Sequence, residues 1–197
     1  MSRPPQVPVP QVRSAVPGDA AFAAPLIQET IGAIGHALTG EVDDAGAARV
    51  IKEAFARPGH RLSFEFTLLL EEDGVPLGLA VLYPGERAEL LDRPFHDRLR
   101  ALGRPDHIVA EARPGELYLD TLAVAGAARG RGLGATLLAA CAARAQAAGL
   151  PLALLVEDGN PAGRLYRRLG FAGEEEVTVA GHRYLRLAWA AAPAADR

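Results

Sequence analysis

The order of apolar and polar positions predicts one chain of mixed strands and helices. Apolar residues three and four apart predict amphipathic helices, and short apolar runs bounded by Gly, Pro or Asp predict strands. A proline at position 94 predicts that a new segment starts inside the third helix. Strands are predicted at residues 11–16, 62–71, 75–83, 116–124, 152–156, 177–179 and 183–189, and helices at 19–32, 43–57, 88–102, 133–148 and 161–169.

The centre of this pattern is a strand, a glycine-rich loop and a helix over residues 116–148. A loop of this kind can point several backbone N–H groups at one spot, and that spot lies at the positive end of the helix dipole. This is the arrangement of an anion site. Gly130, Gly132 and Gly134 leave no side chain where a phosphate must approach the backbone, and two arginines add positive charge. The loop therefore predicts phosphate binding.

Of two other known phosphate loops, only the second is compatible with this one. A Walker loop is excluded because no Gly-Lys-Ser/Thr follows. A dinucleotide-binding (Rossmann) loop is compatible with Gly130-x-Gly132-x-x-Ala135, with Glu157 as a ribose contact. The hairpin predicted at residues 62–83 counts against that fold, because a Rossmann chain starts with its glycine loop and alternates strands with helices.

A third type of loop matches fully and has support further along the chain. Arg129-x-x-Gly132-x-Gly134 fits the Arg/Gln-x-x-Gly-x-Gly/Ala loop that binds the pyrophosphate of acyl-CoA in N-acetyltransferases. Leu165-Tyr166 and Gly170-Phe171 follow at a compatible distance. With both motifs, the sequence resembles the GNAT superfamily (GCN5-related N-acetyltransferases) over about residues 116–171.

The resemblance implies a single α/β domain with a mixed, mostly antiparallel sheet of six or seven strands flanked by helices. Two parallel central strands would splay apart around CoA. We expect a flexible N-terminal arm at residues 1–10, the acetyltransferase domain at 11–190 with an insertion or flap at 84–115, and a C-terminal tail at 191–197. The implied reaction transfers the acetyl group of acetyl-CoA to a small amine or a peptide amine, without a metal.

The resemblance also implies roles for individual residues. Tyr166 is expected to be the general acid at the thiol leaving group, and Asp120 the general base, on the same strand face as Leu122 and Val124. Glu65, between two phenylalanines, is a second candidate for the base. The residues expected to bind acetyl-CoA are Leu122, Ala123, Val124, Arg129, Gly130, Arg131, Gly132, Leu133, Gly134, Ala135 and Asn160. Asn160 lies one residue closer to the tyrosine than in the commonest family spacing, and a helix cap is its other interpretation.

Composition narrows the remaining alternatives. The net charge of −3 does not indicate a broad basic face for nucleic acid. The single cysteine, Cys141, excludes an internal disulfide and a cysteine cluster for zinc, and its apolar helix predicts a buried thiol. No apolar run reaches transmembrane length and no signal core is present, so a cytoplasmic protein without a membrane partner is expected.

Several questions stay open at the level of sequence. Polar residues in the insertion, among them His107 and Glu111, indicate a flap that faces either the substrate or a second subunit. A homodimer is expected only because family members commonly form one. A non-catalytic acyl-CoA-binding regulatory module and an NAD(P)-binding oxidoreductase remain as alternative functions.

Overall fold

The computed structural model describes residues 9–190, so the predicted arm and tail lie almost wholly outside the described residues. Residues 9–190 form seven strands and six α-helices. The strands are β1 Gln11–Ser14, β2 Thr67–Glu72, β3 Val75–Pro84, β4 Leu117–Val124, β5 Leu152–Glu157, β6 Ala172–Val179 and β7 His182–Trp189, and the helices are α1 Ala20–Ile31, α2 Ala33–Thr39, α3 Asp44–Phe55, α4 Ala88–Ala101, α5 Leu133–Ala148 and α6 Ala162–Arg168.

The strands form one sheet in the order β1-β2-β3-β4-β5-β7-β6. Only β4 and β5 pair in parallel, and every other neighbouring pair is antiparallel. Apolar side chains of α1–α4 cover one face, and those of α5 and α6 cover the other. The predicted fold class is therefore confirmed. A Rossmann fold, which needs a doubly wound parallel sheet, is excluded.

Local sequence explains the hairpin of β2 and β3, and it also explains why the predicted start of β2 was wrong. Asp73 and Gly74 both have positive φ angles, 50° and 76°, as a tight turn between antiparallel strands requires. The strand before the turn begins at Thr67 and not at residue 62, because Phe64–Phe66 forms a 3-10 turn. The hydroxyl of Ser63 accepts a hydrogen bond from Glu65 N at 3.1 Å and so caps that turn.

The helices on the first face also differ from prediction. Gly32, with φ of 49°, ends α1, and a separate short helix, α2, follows it directly. Pro94 does not start a new segment but lies inside α4, where Leu91, Phe95 and Leu99 are buried on one side. The burial of this apolar face holds the helix together although the proline removes one backbone donor.

On the other face of the sheet Cys141 is fully buried as predicted, and burial raises the pKa of its thiol to about 12.

The two parallel strands separate after a short contact. They pair only from Leu117 to Leu119 on β4 and from Leu152 to Leu154 on β5. Beyond these residues both strands continue, to Val124 and to Glu157, without pairing to each other. A gap therefore opens in the middle of the sheet, as the family resemblance implies.

The insertion at residues 84–115 packs closely against the sheet. Arg186 on β7 donates a hydrogen bond to Glu111 O at 2.7 Å and forms an ion pair with the Glu116 carboxylate. Gly85 N donates to Glu116 O at 2.9 Å. The second half of the insertion is thus held between the ends of β3 and β7. In the described part of the chain, no helix has the length and apolar character needed to cross a membrane.

We expect Gly85→Ala to lower the free energy of unfolding by about 3 kcal/mol, at the upper end of overpacking effects. A Cβ at this position would lie 1.8 Å from Arg113 O, so the insertion would have to move away from β3. Gly18→Ala is the matched control, because a Cβ there meets no atom within 4 Å and should change stability by about 0.5 kcal/mol or less. Denaturant unfolding measures both, and equal stability of the two variants would contradict the close packing.

Candidate active site

A cleft of about 660 Å³ lies where β4 and β5 separate. Its walls come from β4, β5, the junction of α1 and α2, the start of α6, and β7. Five of the residues predicted to form the site line this cleft: Asp120, Leu122, Arg129, Asn160 and Tyr166.

The edge of β4 along the gap presents the N–H groups of Leu122 and Val124, which have no acceptor among residues 9–190. Ala125 N donates to Leu77 O at 2.8 Å, on the β3 side. Because the N–H groups of a strand alternate between its two edges, those of Leu122 and Val124 point away from β3 and into the gap. The carbonyl of Val124 points the same way, since it accepts a hydrogen bond from Arg129 Nε at 3.0 Å. This edge can pair with an extended amide-containing chain.

The glycine-rich loop ends beside this edge. Gly130 and Gly132 have φ angles of 81° and 79°, a left-handed conformation in which glycine is favoured. Within residues 9–190, the five consecutive N–H groups from Gly130 to Gly134 have no hydrogen-bond acceptor. They lie at the start of α5, where the helix dipole favours negative charge. The loop therefore has the donors that an anion site requires.

The two arginines of the loop form exposed ion pairs. Arg129 contacts Glu29 at 2.6 Å, and Arg131 contacts Glu72 at 2.7 Å. Exposed pairs of this kind contribute about 0–1 kcal/mol, so a multiply charged anion can compete for both guanidinium groups.

Tyr166 presents its hydroxyl to the cleft from α6. The ring is buried against Phe171, with 5.8 Å between the ring centroids. Burial raises the pKa of Tyr166 to about 12, so the hydroxyl stays protonated at neutral pH. Within the described residues this hydroxyl has no hydrogen-bond partner, which leaves it available as a donor.

Asn160 and Glu157 lie at the rim near α6. The side-chain oxygen of Asn160 accepts a hydrogen bond from Ala162 N at 2.9 Å, so this residue does help to start α6 while it lines the cleft. Glu157 Oε1 lies 2.8 Å from His182 Nδ1, and both side chains are exposed.

Asp120 occupies a β-bulge in β4. The neighbouring β3 residues Val81 and Leu82 pair with Thr121 and Leu119, so Asp120 is the extra residue between them. The bulge reverses the alternation of faces: Leu122 and Val124 pack on the α5 side, whereas Asp120 contacts Arg61 on the opposite side. The prediction that Asp120 shares a face with Leu122 and Val124 is therefore wrong.

The Asp120 carboxylate is almost fully engaged. Its Oδ2 accepts hydrogen bonds from Arg61 Nε at 2.8 Å, Arg61 Nη2 at 2.5 Å and the Tyr83 hydroxyl at 3.3 Å. Its Oδ1 accepts one from the Thr121 hydroxyl at 3.0 Å. The side chain is 3 % exposed. Asp120 thus reaches the cleft mainly as the partner of a buried arginine.

Arg61 is shared by three carboxylates from separate parts of the chain. Besides Asp120, its guanidinium contacts Glu111 Oε1 at 2.6 Å and Asp92 Oδ1 at 3.5 Å. Arg61 is 1 % exposed, and it lies 5.6 Å from the centre of the Tyr83 ring. Sequence analysis missed this arginine, because no local spacing connects it with carboxylates that are 50 and 59 residues away.

Glu111, like Asp120, is a buried carboxylate of this group that lines the cleft. Its Oε2 accepts a hydrogen bond from the Tyr118 hydroxyl at 3.0 Å, and its side chain is 5 % exposed. Burial raises the pKa of Glu111, and Arg61 only partly opposes this shift. Burial likewise raises the pKa of Asp92, which is farther from the guanidinium.

Glu65 lies outside the cleft. It is an exposed residue of the 3-10 turn before β2, and its carboxylate accepts a hydrogen bond from Gly59 N at 2.8 Å. The prediction of Glu65 as the second candidate for the base is wrong, because that turn replaces the strand that would have carried its side chain inward.

Comparisons with known proteins identify the family and the fold. The family described as "Acetyltransferase (GNAT) family" matches residues 29–171. A crystal structure of an acetyltransferase is 30 % identical, covers 92 % of this chain and 100 % of its own, and has a TM-score of 0.75. An N-acetyltransferase from Staphylococcus aureus Mu50 is 21 % identical, with 91 % and 100 % coverage and a TM-score of 0.77.

A more distant structure shares the fold. The ribosomal-protein-S18-alanine N-acetyltransferase from Escherichia coli is 17 % identical, with 95 % and 97 % coverage and a TM-score of 0.58. No curated protein matches the chain by sequence.

We expect Arg61→Met to lower the free energy of unfolding by about 3–5 kcal/mol at neutral pH, because it leaves buried carboxylates without their counter-charge. Asp92→Asn should be neutral or stabilising, since Asp92 is the most distant partner and two carboxylates remain on Arg61. Denaturant unfolding of the two variants measures the difference.

The pH dependence of stability gives a second test of Asp92→Asn against wild type. The folded-state pKa of Asp92 is raised, so its contribution is most favourable below the unfolded pKa and is lost as pH rises through the folded pKa. Asp92→Asn should therefore gain stability relative to wild type between about pH 4, near the pKa of a free carboxyl, and neutral pH. A constant difference across this range would contradict the raised pKa.

Proposed function

Because the chain belongs to the acetyltransferase (GNAT) family, we propose that it transfers the acetyl group of acetyl-CoA to the nitrogen of a primary amine. The observation that carries this proposal is the gap between β4 and β5. Within residues 9–190, the N–H donors of the loop that follows β4 and the Tyr166 hydroxyl on the cleft wall have no hydrogen-bond partner.

The chemical groups along the gap fit the parts of acetyl-CoA. The N–H groups from Gly130 to Gly134 suit a pyrophosphate, with Arg129 and Arg131 as neighbouring cations. The inward amide groups of Leu122 and Val124 suit the amides of a pantetheine arm, as in the addition of a strand to a sheet edge. Bound in this way, acetyl-CoA supplies an activated thioester beside the carboxylates of the cleft.

An amine acceptor needs a base. Alkyl ammonium groups have a pKa of about 10 and cannot attack a thioester until a proton is removed. We assign this role to Glu111, on two observations. Each of its carboxylate oxygens accepts only one hydrogen bond within the described residues, whereas Oδ2 of Asp120 accepts three. Burial also raises the pKa of Glu111 above that of an ordinary glutamate and thus toward that of the ammonium group.

The other residues then take supporting roles. Asp120 is a positioning residue, because its contacts fix the Arg61 guanidinium that in turn holds Glu111. The inward N–H of Leu122 is a donor for the oxyanion that forms on the acetyl carbonyl. A homodimer and a cytoplasmic location stay predictions.

Tyr166 is the proposed acid at the leaving sulfur. A free thiol has a pKa of about 8.5, well below the value of about 12 for Tyr166, so proton transfer in open solvent would be unfavourable. Burial raises the pKa of a thiol as well, as Cys141 shows in this chain. Burial of the thiol in the cleft would narrow this difference, so that the hydroxyl can first donate a hydrogen bond to the sulfur and then its proton.

Calorimetry with acetyl-CoA, followed by thiol release with a panel of primary amines, tests this function. Tyr166→Phe should bind acetyl-CoA within about twofold of wild type but lower kcat by about 10²-fold, the lower end of general acid–base effects. Tyr184→Phe removes the same atom from another tyrosine of the cleft and should keep kcat. Wild-type binding without turnover would instead favour the non-catalytic acyl-CoA-binding module.

The pH profile tests Glu111 separately. Since Glu111 acts as carboxylate and its pKa is raised, kcat/KM should rise with pH through a value above that of an ordinary glutamate. Glu111→Gln should lower kcat/KM by about 10²-fold or more and remove this acid limb. Glu157→Gln changes another cleft carboxylate in the same way and should keep the acid limb of the kcat/KM profile. An unchanged profile in Glu111→Gln would overturn the assignment.

A further inference from the structure

A second cavity, of about 290 Å³, opens beside the cleft. It lies between α2, the second half of the insertion and the turn that joins β6 to β7. Ile34 and Glu111 line both this cavity and the cleft, so the carboxylate that we assign as the base lies at the boundary between the two spaces. We call this second space the side cavity.

The side cavity is lined mainly by aliphatic groups. Ile34, Leu38, Ile108, Val109 and Val179 provide most of its apolar wall. Of its lining residues only Glu111 and the exposed His107 have titratable side chains, and none is Lys or Arg. The side cavity therefore has one buried carboxylate, Glu111, at its boundary with the cleft and a mainly hydrocarbon wall elsewhere.

We propose that the acceptor is a primary monoamine with an apolar substituent, whose nitrogen lies at Glu111 and whose substituent fills the side cavity. This inference rests on the proposed function. The size is suitable, because a cavity of about 150 Å³ already holds benzene. The side cavity therefore has room for an aromatic ring with a short linker or for a hexyl chain.

Other classes of amine fit less well. The carboxylate of a free amino acid would lie next to Glu111, and the nearest cation, Arg61, is already shared by three carboxylates. The second ammonium of a diamine would lie among aliphatic side chains, where a charge is costly. A polyhydroxylated amine would lose its hydrogen bonds to water in the same place. These differences select an apolar monoamine.

A homologous series of acceptors tests the proposal. From ethylamine to butylamine and hexylamine, kcat/KM should rise about fourfold for each methylene that leaves water, until the side cavity is full. 2-Phenylethylamine should be a good acceptor, whereas phenylalanine and 1,4-diaminobutane should be poor ones. A preference for the diamine, for the amino acid or for a short peptide with a free N-terminus would overturn the inference.

Two variants connect the series with the cavity. Ala37 is exposed but lines the side cavity, so Ala37→Trp adds bulk at its α2 wall and should flatten the rise between ethylamine and hexylamine. Val42→Trp adds the same bulk at a residue that is 76 % exposed and lines neither cavity, so it should keep the rise. Calorimetric titration of 2-phenylethylamine into the CoA-bound protein provides a readout that does not depend on turnover, and Ala37→Trp should weaken that binding about tenfold.

The possible failures are distinguishable. Release of thiol with several amines, but without a rise along the series, would leave the acetyltransferase function intact and overturn only the assignment of the side cavity. Acetyl-CoA binding without thiol release from any amine would overturn both proposals. A series that rises equally in wild type and Ala37→Trp would place the apolar group elsewhere and overturn the inference.

Discussion

Arg61 carries its charge at a position that is 1 % exposed, and its three carboxylate partners come from α4, from the second half of the insertion after α4, and from β4. Such a charge is tolerated in an interior only when partners and hydrogen bonds surround it. The three segments must therefore reach their final positions together. The same contacts that make burial of the guanidinium acceptable also bring Glu111 and Asp120 to the wall of the cleft.

The bulge in β4 is the backbone counterpart of this arrangement. Leu117 and Leu119 face the α5 side, so regular alternation from Leu119 places Asp120 on the opposite side, toward Arg61, and would place Leu122 there as well. The extra residue returns Leu122 and Val124 to the α5 side, while the Asp120 carboxylate stays on Arg61. The bulge occurs just where pairing between β4 and β5 ends at Leu119. One irregularity thus accompanies both the opening of the sheet and the orientation of its carboxylate.

Features that depend on local sequence could be predicted, and those that depend on distant contacts could not. The loop from Arg129 to Gly134 and the helix with Tyr166 follow from adjacent residues, and the structure has both beside the cleft. The predicted strand face of Asp120 was wrong because a bulge has no clear sequence signal. The contact between Arg61 and Glu111 could not be predicted because 50 residues separate them in the sequence. Glu65 was misplaced because Ser63 caps a turn where the apolar pattern indicates a strand.

The two halves of the cleft have opposite electrostatic character, and this difference follows from the splayed strands. At the loop end, free N–H groups, the start of α5 and two arginines favour an anion. At the other end a single arginine faces three carboxylates, so the balance of charge favours a cation. A phosphate-bearing thioester and an ammonium group would therefore enter from different sides without competing for one site. Under the proposed function, the reacting atoms would meet between Tyr166 and Glu111, which both line the cleft.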